Sequence, residues 1–532
     1  MSLKDAPVPM PEKRVTFKKQ PNGTVYVYYT VRAYRNKRGQ PTSDEVAIGK
    51  KDMATGELIP NRNYYDIFKI DLRTQTKMPE VVPRFAQNCG NTLVLMQIAK
   101  QTGLVETLTK CFPYKWEQML ACAFYMICEG NVMMYIENWF DVTKVNFTKR
   151  MDDIDCSKLF ASITEEERRN FFTHWIEYRR ESEMIVYDVS SISTYSKNID
   201  IAEWGYNRDN DPLPQINLGM YYGVTSTMPV YYDLYNGSIP DKSYLEFMMI
   251  NTLDLGICEV CFVIDRGFVT EENFQCMREH NFSFITALPG SRKETVRLIE
   301  VNKAQVKKAA NWISEYKVFG FQCPTDLYGH DLQAHIYYDP VKQNFDVTAM
   351  FAKIDKLKQE LGKISKSKGV TKKFNNYFVI NDKTQDTIKF ELDTENIDAI
   401  IDRTGYFILL SNNKSLSSND VIKIYRNRDV IEKNFDQFKN HLDFKRMRTH
   451  WTKTTEGKMF IGFIALILRS YMCRLLKQDS KTKHLTFEKA MLELKKIQSH
   501  TLSDKSEVMT PLTKLQKTIL ESLSISPELS ST

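Results

Sequence analysis

The stretch Tyr425–Lys439 reads YRNRDVIEKNFDQFK, contains neither glycine nor proline, and is predicted to form a helix. Ser417 upstream is a candidate N-cap, and Asp420 places an acid in the first turn. At about 100° per residue, several polar side chains project within a sector of roughly 60°. These are Tyr425, Arg428, Glu432 and Lys439. An apolar stripe lies directly beside them, so we expect the polar stripe at the edge of the core, facing an anionic ligand.

The alternative interpretation of this stretch is a surface helix with ordinary charges. Two features argue against it. A fully solvated face has no need of a tyrosine, and the basic residues surround the single acid without regular i, i+4 pairs. We therefore interpret the four polar side chains as one functional stripe.

The spacing Tyr-x2-Arg-x3-Glu-x6-Lys resembles the signature of one large group of bacterial insertion-sequence transposases. The chain most resembles the long members of the insertion-sequence-four superfamily. In that group the glutamate is the third carboxylate of a DDE triad. The resemblance therefore implies that two aspartates elsewhere in the chain complete a triad with Glu432.

Length and composition bound the class of protein. The chain has 532 residues, enough for several domains, and its 42% apolar and 26% charged residues are ordinary for a soluble globular protein. A net charge of +7 is compatible with nucleic acid. Met1–Arg14 has no apolar signal segment, and the longest apolar run, Met459–Leu468, is too short to span a bilayer. We expect a cytoplasmic bacterial protein, associated with the nucleoid when it acts, with no membrane partner.

The cysteines do not predict a metal site. Ten are scattered along the chain, and only Cys258 and Cys261 form a C-x-x-C pair. No second pair or histidine cluster follows at zinc spacing. Both residues lie in an apolar run, so reduced and buried thiols are predicted.

The first part of the chain is rich in predicted strands. Residues 15–50 alternate apolar and polar side chains around an Asn22-Gly23 turn, which is a strong hairpin signal. Several basic residues then lead into another turn near Gly39. They are Arg32, Arg35, Lys37 and Arg38. Contact with DNA phosphates and a capping role are both open for this basic β-rich module.

From Asn91 to about Arg180 the apolar residues recur at helix spacing. Two predicted helices flank the short turn Thr102-Gly103, an arrangement compatible with a helix-turn-helix. Helical hairpins are common in any bundle, however, so reading of DNA by this segment is only one interpretation.

Between residues 184 and 287 the predicted order is β-β-β-α-β-α-β. Asp188 directly follows the first, four-residue strand, and Asp265 directly follows the wholly apolar strand Val260–Ile264. This order is similar to the ribonuclease-H-like fold of DDE recombinases. In that fold the first Asp lies at the end of the first strand, the second follows the fourth strand, and the last acid lies on a later helix. The resemblance thus assigns Asp188, Asp265 and Glu432 to the triad.

The interval between Asp265 and Glu432 is much longer than one strand and one helix need, so a separate module is predicted to interrupt the core. Transposases with this signature are known for such an insertion. Its lysine-rich stretch, Lys353–Lys373, is open to interpretation as a DNA clamp or as a solvated face.

The predicted fold class is α/β: a ribonuclease-H-like mixed sheet flanked by helices and interrupted by an insertion, with a β-rich N-terminal module and helical N- and C-terminal parts. The predicted domains are 1–86 (basic β-rich module and linker), 87–180 (helical domain), 181–290 with 403–445 (catalytic core), 291–402 (insertion module) and 446–532 (helical C-terminal region).

Three carboxylates suit phosphodiester cleavage, which needs an activated oxygen nucleophile and relief of charge on the leaving oxygen. Two Mg²⁺ ions roughly 3.5–4 Å apart do both, and they take hard oxygen ligands. We expect Asp188 to bridge both ions, and Asp265 and Glu432 each to complete one site, with Mn²⁺ as a substitute metal. Each aspartate alone has an alternative role as a loop cap, but three acids in matching order favour the metal site.

By the same resemblance, the three other signature side chains grip DNA. Arg428 and Lys439 would bind phosphate, Arg428 through two parallel hydrogen bonds, and Tyr425 would donate to a phosphate beside the cut. Arg266 and Asp209 are further candidates for this site. Trp312 is a candidate for stacking on a flipped base, as an aromatic in the family's insertion does, or for a core or surface role.

The sequence therefore predicts a DNA transposase that cleaves the ends of an insertion element and transfers the 3′-OH to target DNA. Its expected partners are double-stranded DNA, as terminal inverted repeats and as target, and a second copy of the chain on paired ends. The alternatives are a domesticated DNA-binding protein that no longer cuts and a metal-dependent endonuclease without strand transfer.

Overall fold

In the computed structural model the chain forms two compact units. The first unit consists of Met1–Phe85 and Thr501–Val508, and the second consists of Ala86–His500 and Met509–Thr532. The described residues are 7–21, 23–53, 55–70, 83–179, 184–207, 209, 211–224, 226–255, 261–361, 374–382 and 389–526. Asn22 of the predicted first turn, Cys258 of the C-x-x-C pair and the lysines from Lys363 to Lys373 lie outside these residues. The nine described cysteines are free thiols.

The first unit contains a four-stranded antiparallel sheet in the order β1-β2-β3-β4. Its elements are β1 (Val15–Lys19), β2 (Val25–Arg35), β3 (Pro41–Lys51), β4 (Leu58–Pro60) and α1 (Arg62–Phe68). Asn61 caps α1 by accepting a hydrogen bond from the Tyr64 amide. The buried core is small, formed by Val27, Ile48 and Leu58 with α1 packed against it. The strands predicted between residues 15 and 50 are therefore present.

The second unit begins at Ala86, within β5 (Pro83–Asn88), and continues with a group of helices. They are α2 (Gly90–Gln101), α3 (Leu104–Cys111), α4 (Trp116–Glu129), α5 (Ile136–Val142), α6 (Asp153–Ser162) and α7 (Glu165–Arg179). The predicted turn between α2 and α3 forms at Gly103, whose φ is +73°. Leu104 and Leu108 of α3 are fully buried, so this helix is fixed by the core. Base reading by this hairpin stays a prediction.

A mixed sheet forms the centre of the second unit. Its first elements are β6 (Met184–Thr194), β7 (Gln215–Gly223), β8 (Pro229–Asn236), α8 (Asp241–Asp254), β9 (Cys261–Ile264), α9 (Glu271–Glu279) and β10 (Ser283–Leu288). The strands follow the order β8-β7-β6-β9-β10, with β6, β9 and β10 parallel and the other pairs antiparallel. Every residue of β7 is buried, as expected for a strand covered on both faces. The predicted order of strands and helices is therefore confirmed here.

Residues 291–402 do not form one module apart from this sheet. They contain α10 (Lys293–Val306), β11 (Trp312–Ile313), β12 (Val318–Leu327), β13 (His330–Tyr338), α11 (Pro340–Leu361), β14 (Phe378–Asp382), β15 (Lys389–Leu392) and α12 (Thr394–Arg403). With β16 (Tyr406–Ser411), the strands β13, β12 and β11 continue the central sheet beyond β10. Only the later part, from α11 to α12, has a small core of its own. The interval length that predicted an insertion carries no information about which strands join the sheet.

The signature stretch is two helices and not the predicted single one. After β16 come α13 (Ser418–Arg426), α14 (Asp429–Asp436) and a π-helical turn, Gln437–His441. A capping box between Ser417 and Asp420 starts α13, as predicted. The break falls at Asn427 and Arg428, where the amide of Arg428 donates to the carbonyl of Tyr425 in a tightened turn.

The last elements are β17 (Arg446–Met447), α15 (Thr452–Gln478), α16 (Phe487–Lys495), β18 (Gln498–Leu502), β19 (Glu507–Met509) and α17 (Lys514–Ser522). β17 pairs with the end of β6. By length and composition α15 is long and apolar enough to cross a membrane, the one such unbroken helix in the described chain. In the fold, 78% of its apolar window is buried against other elements, as in the core helix of a globular protein.

Candidate active site

The parallel pairing of β6 and β9 brings Asp188 and Asp265 side by side. Val186 pairs with Val263, and the same register continued by two residues sets Asp188 beside Asp265. Asp188 does not end its strand as predicted, because β6 runs on to Thr194. It lies at the middle of β6, at the level where the shorter β9 has ended. Both aspartates therefore lie at the level of the carboxyl end of β9.

The two aspartates have different surroundings. Asp188 is 8% exposed, and its Oδ1 accepts a hydrogen bond from the Val189 amide at 2.8 Å. Asp265 is half-exposed and accepts from the Arg266 amide at 2.7 Å, which caps a short 3₁₀ turn. The loop-cap role considered for each aspartate is thus present at Asp265. It uses one carboxylate oxygen, Oδ1, which also meets a second partner.

That partner is Arg428, whose guanidinium joins two of the acids. Its Nη1 lies 2.8 Å from Asp265 Oδ1, and its Nη2 lies 3.2 Å from Glu432 Oε1. The Arg428–Glu432 contact is an i, i+4 ion pair, which corrects the expectation that the signature contains none. Burial alone lowers the pKa of the Arg428 guanidinium, but Tyr425, Asp265 and Asp188 outweigh burial and raise that pKa. All three acids therefore act on one cation.

Tyr425 covers the same guanidinium from α13. The Arg428 Cζ atom lies 5.2 Å from the centre of the Tyr425 ring. Burial raises the pKa of the Tyr425 hydroxyl to about 12, an effect opposed by Arg428 and Arg266 and supported by Asp265 and Glu432. Tyr425 is consequently a neutral hydrogen-bond donor at physiological pH. Arg266 is exposed beside it.

Lys439 belongs to a neighbouring pair and not to the acids of the triad. Its side chain is nearly buried in the π-helical turn, and its Nζ lies 2.7 Å from Asp209 Oδ2. Asp209 lies in the long connection between β6 and β7. Two residues further on, Asp211 accepts hydrogen bonds from Nε and Nη2 of Arg446 at 3.3 and 3.1 Å. The connection is thus tied at two points to the segment that carries the signature.

Trp312 is not brought to the acids. It lies on β11, five strands beyond β9 in the sheet, which is roughly 24 Å at the usual strand spacing. The tryptophan is 42% exposed, and its ring packs edge-on against Phe319 with a centroid distance of 4.9 Å. Stacking of Trp312 on a flipped base near the acids therefore has no support in this geometry.

The family model described as the transposase DDE domain matches residues 179–468, more than half of the chain. The chain belongs to the DDE transposase family. The matched range contains the three predicted acids and the other signature residues, and it excludes the whole first unit.

Solved structures with partial similarity to this transposase come from two other transposases. The piggyBac transposase synaptic complex with hairpin DNA is 9% identical, with 83% of this chain and 74% of that chain covered and a TM-score of 0.33. The pre-cleavage Mos1 transpososome is 12% identical, with 34% of this chain and 58% of that chain covered and a TM-score of 0.15. No curated protein shows significant similarity to the chain.

The three acids of this transposase offer only oxygen donors to a metal ion. Within the described residues, no three side chains of the metal-binding types are close enough to hold an ion together. Their donor set is nevertheless the hard oxygen set that Mg²⁺ takes. Asp265 and Glu432 already share one cationic partner, and the charge of Asp188 acts on it too. The oxygen donors of Asp265 and Glu432 are thus of the type that Mg²⁺ takes, but in this structure they hold the Arg428 guanidinium.

A cleft beside Asp265 was missed by sequence reasoning. Its volume is about 330 Å³, and it is lined by Tyr206, Asn217, Lys242 and Gly267 among others. Tyr206 is 82% exposed on a backbone fixed by the buried Gln215, whose Nε2 donates to the Tyr206 carbonyl at 3.0 Å. In the sequence, the glycine between the aromatic residues Trp204 and Tyr206 could have indicated this cleft. Nothing in the sequence marked Lys242.

Proposed function

We propose that this chain is a DNA transposase that cleaves the ends of an insertion element and joins the freed 3′-OH to target DNA. The observation that carries the proposal is the convergence of Asp188, Asp265 and Glu432 on one guanidinium in a chain of the DDE transposase family. The Tyr-Arg-Glu-Lys spacing supports membership among the long insertion-sequence-four transposases. The mixed sheet with β6 central and parallel to β9 supports a ribonuclease-H-like core.

In this proposal the three acids hold divalent metal, Mg²⁺ with Mn²⁺ as substitute. When bound, the metal activates an oxygen nucleophile and relieves charge on the leaving oxygen. The near-buried Asp188 is fixed by the sheet and gives the site its rigid side. Glu432 is exposed on α14 and completes it from the other side. Asp265, directly after β9, is the third acid, and Arg428 holds it in the structure.

The other signature residues hold the DNA strand. Arg428 exchanges its carboxylate partners for a phosphate, which its planar guanidinium binds through two parallel hydrogen bonds. Tyr425 donates its hydroxyl to a phosphate and keeps that proton because its pKa is raised to about 12. Lys439 binds phosphate after leaving Asp209, and the exposed Arg266 adds a further positive charge.

The proposal extends to partners and organisation. The partners are double-stranded DNA, as terminal inverted repeats and target, and a second copy of the chain on paired ends, in the bacterial cytoplasm. The catalytic core is 181–290 with 403–445, and β11–β13 extend its sheet. We assign 1–86, 87–180, the remainder of 291–402, and 446–532 to the accessory modules named from the sequence.

The test is cleavage of a plasmid that carries the gene with its native flanking DNA. The wild type, Glu432→Gln and the matched control Asp429→Asn are compared in Mg²⁺, in Mn²⁺ and in EDTA. Asp429 is an exposed acid on the same helix, so its replacement removes the same charge. We expect metal-dependent cuts at the element ends and joined products with the wild type and the control only. Cuts without joined products would indicate a nuclease, and binding without cutting would indicate a DNA-binding protein that has lost cleavage.

A further inference from the structure

The outer half of the β2–β3 hairpin, residues 31–44, has no core on either face; we call it the distal ribbon. Each of its side chains is exposed except that of Asn36, which is half-buried. Even the apolar Val31 and the aromatic Tyr34 are 47% and 40% exposed. The buried core of this unit involves Val27 and Ile48 at the inner half of the hairpin. A two-stranded ribbon without a packed face is marginally stable in water, so a partner that covers it would add stability.

The tip of the distal ribbon is nevertheless held in one shape. The Asn36 amide donates to the Gln40 carbonyl at 2.9 Å, and the Asn36 side-chain oxygen accepts from the amides of Arg38 and Gln40 at 2.9 and 3.1 Å. Gly39 takes a φ of +73°, a value that favours glycine. Arg35 adds a hydrogen bond from its Nη1 to the Gly39 carbonyl at 2.9 Å. A partner therefore meets a pre-formed tip and does not have to order it.

The charge of the distal ribbon is uncompensated. It carries four cations and one acid. The cations are Arg32, Arg35, Lys37 and Arg38. None of them forms an ion pair within the described residues. Arg32 lies opposite Asp44 in the register and 5.5 Å from the centre of the Tyr34 ring, and Asp44 accepts from the Tyr34 hydroxyl at 3.3 Å. Exposed, unpaired cations on a thin projecting element are complementary to a polyanion with a groove.

The dimensions of the ribbon select duplex DNA as that polyanion. Two strands lie about 4.8 Å apart and rise about 3.4 Å per residue, and the major groove of B-DNA, about 12 Å wide, admits such a ribbon. The register sets Ala33 opposite Ser43 and Tyr34 opposite Thr42. Side chains alternate between the two faces of a strand, so the small Ala33 and Ser43 share a face with Arg35, and there the backbone can approach the bases. The bulky Tyr34 lies on the other face, together with Arg32.

We propose that the distal ribbon enters the major groove of the element-end DNA. Lys37 and Arg38 at the tip bind phosphates, and Arg32 and Arg35, which both lie on β2, reach base edges. This inference rests on the proposed function, because it supplies the element-specific contact that a transposase needs. It places that contact in the first unit, which lies outside the range matched to the transposase DDE domain.

The test is binding of the full chain in EDTA to two labelled duplexes, one of about 40 base pairs from the element end and one with the same bases shuffled. The variant is R32A/R35A/K37A/R38A. The matched control is K19A/K50A/K51A/R62A, which removes the same charge from exposed positions of the same unit outside the ribbon. Both variants must first show the thermal unfolding curve of the wild type. The single variants R32A and R35A then test base reading.

We expect the ribbon variant to bind end DNA at least tenfold more weakly, with the slope of log K against log salt reduced by about 2 to 4, since each lost phosphate contact removes roughly 0.9. The control variant should lose much less affinity for the end, and R32A or R35A should reduce the ratio of end to shuffled affinity. Equal losses in both quadruple variants would overturn the ribbon proposal and leave the transposase proposal standing. A wild type that binds neither duplex would overturn both.

Hydrogen exchange is a second test of the proposal, and it uses the wild-type protein only. The outward-facing amides of residues 31–44 that are outside the strand pairing should exchange more slowly when end DNA is bound, and the amides of α1 should be unchanged. Unaltered exchange across the ribbon in a saturated complex would overturn the proposal.

Discussion

In the acid centre, formed by Asp188, Asp265, Glu432 and Arg428, the cation already has carboxylate partners, whereas the cations of the distal ribbon have none among the described residues. A paired charge acts on an external ligand only after its partner is displaced, while an unpaired and exposed charge acts directly. The two regions should therefore differ in what they require. If both proposals hold, DNA binding by the ribbon needs no metal, and cleavage at the acid centre needs a divalent cation in the place of Arg428.

The largest expected effect is the separation of cleavage from binding by Asp265→Asn. The amide keeps the shape of the side chain but loses the charge that holds Arg428 and, in the proposed function, a metal. We expect the cleavage rate to fall about 10³-fold, equivalent to about 4 kcal/mol of transition-state stabilisation. Affinity for end DNA in EDTA should change less than threefold. Parallel loss of both quantities, measured by end cleavage and by fluorescence anisotropy, would show that the two regions are not independent.

Arg428→Gln tests whether the guanidinium competes with metal. Removal of the cation leaves Asp265 and Glu432 free of a partner that holds charge-assisted hydrogen bonds worth about 1.5 kcal/mol or more, so Mn²⁺ should bind roughly tenfold more tightly. Mn²⁺ affinity is measured by calorimetry without DNA, so the result does not depend on activity. Arg426→Gln is the control, because this exposed arginine of α13 lies on a different side of the helix and contacts Asp339. Equal Mn²⁺ affinity in the wild type and Arg428→Gln would remove the competition from the proposal.

The acid centre was predictable where a local pattern determined it. The apolar strand before Asp265 formed as expected, and Glu432 lies on a helix as expected, although the predicted single helix is divided into two. The extent of β6 was not predictable, because its second half contains Ser190, Ser191 and Ser193, which are buried but carry no apolar signal. Hydrogen bonding within the sheet, and not hydrophobic periodicity, extends that strand.

Long-range partners were the other part that the sequence did not reveal. The break at Arg428 has no glycine or proline to announce it, and it coincides with contacts to Asp265, which is distant in sequence. The pairing of β13 with β16 and that of Lys439 with Asp209 likewise join segments far apart in the chain. Periodicity within one segment cannot specify which distant segment it meets.

Asp209→Asn removes the carboxylate partner of Lys439, which is then unpaired like the cations of the distal ribbon. Lys439 is nearly buried, and loss of its carboxylate partner should reduce the free energy of unfolding by about 1–3 kcal/mol. The freed ammonium should also bind phosphate more readily, steepening the salt slope of end binding by about 0.9. Asp200→Asn, in the same connection, is the control and should leave the slope unchanged, because this exposed carboxylate accepts from the Thr452 hydroxyl and has no ion-pair partner in the described part of the chain. A steeper slope in both variants would point to loss of negative charge in general.

The smallest expected effect is that of Tyr425→Phe, which removes one neutral donor from the acid centre and leaves its charges in place. Loss of a single hydrogen bond to phosphate is worth about 0.5–1.5 kcal/mol, so cleavage should slow by about threefold to tenfold. Because the pKa of Tyr425 is raised to about 12, the hydroxyl keeps its proton from pH 7 to pH 10, and the ratio of wild-type to variant rates should stay constant over that range. Other titrating groups are common to both proteins and cancel in the ratio. A ratio that declines as the pH approaches 10 would mean that the phenol ionises at its ordinary pKa, and the burial of Tyr425 beside Arg428 would then not govern its role.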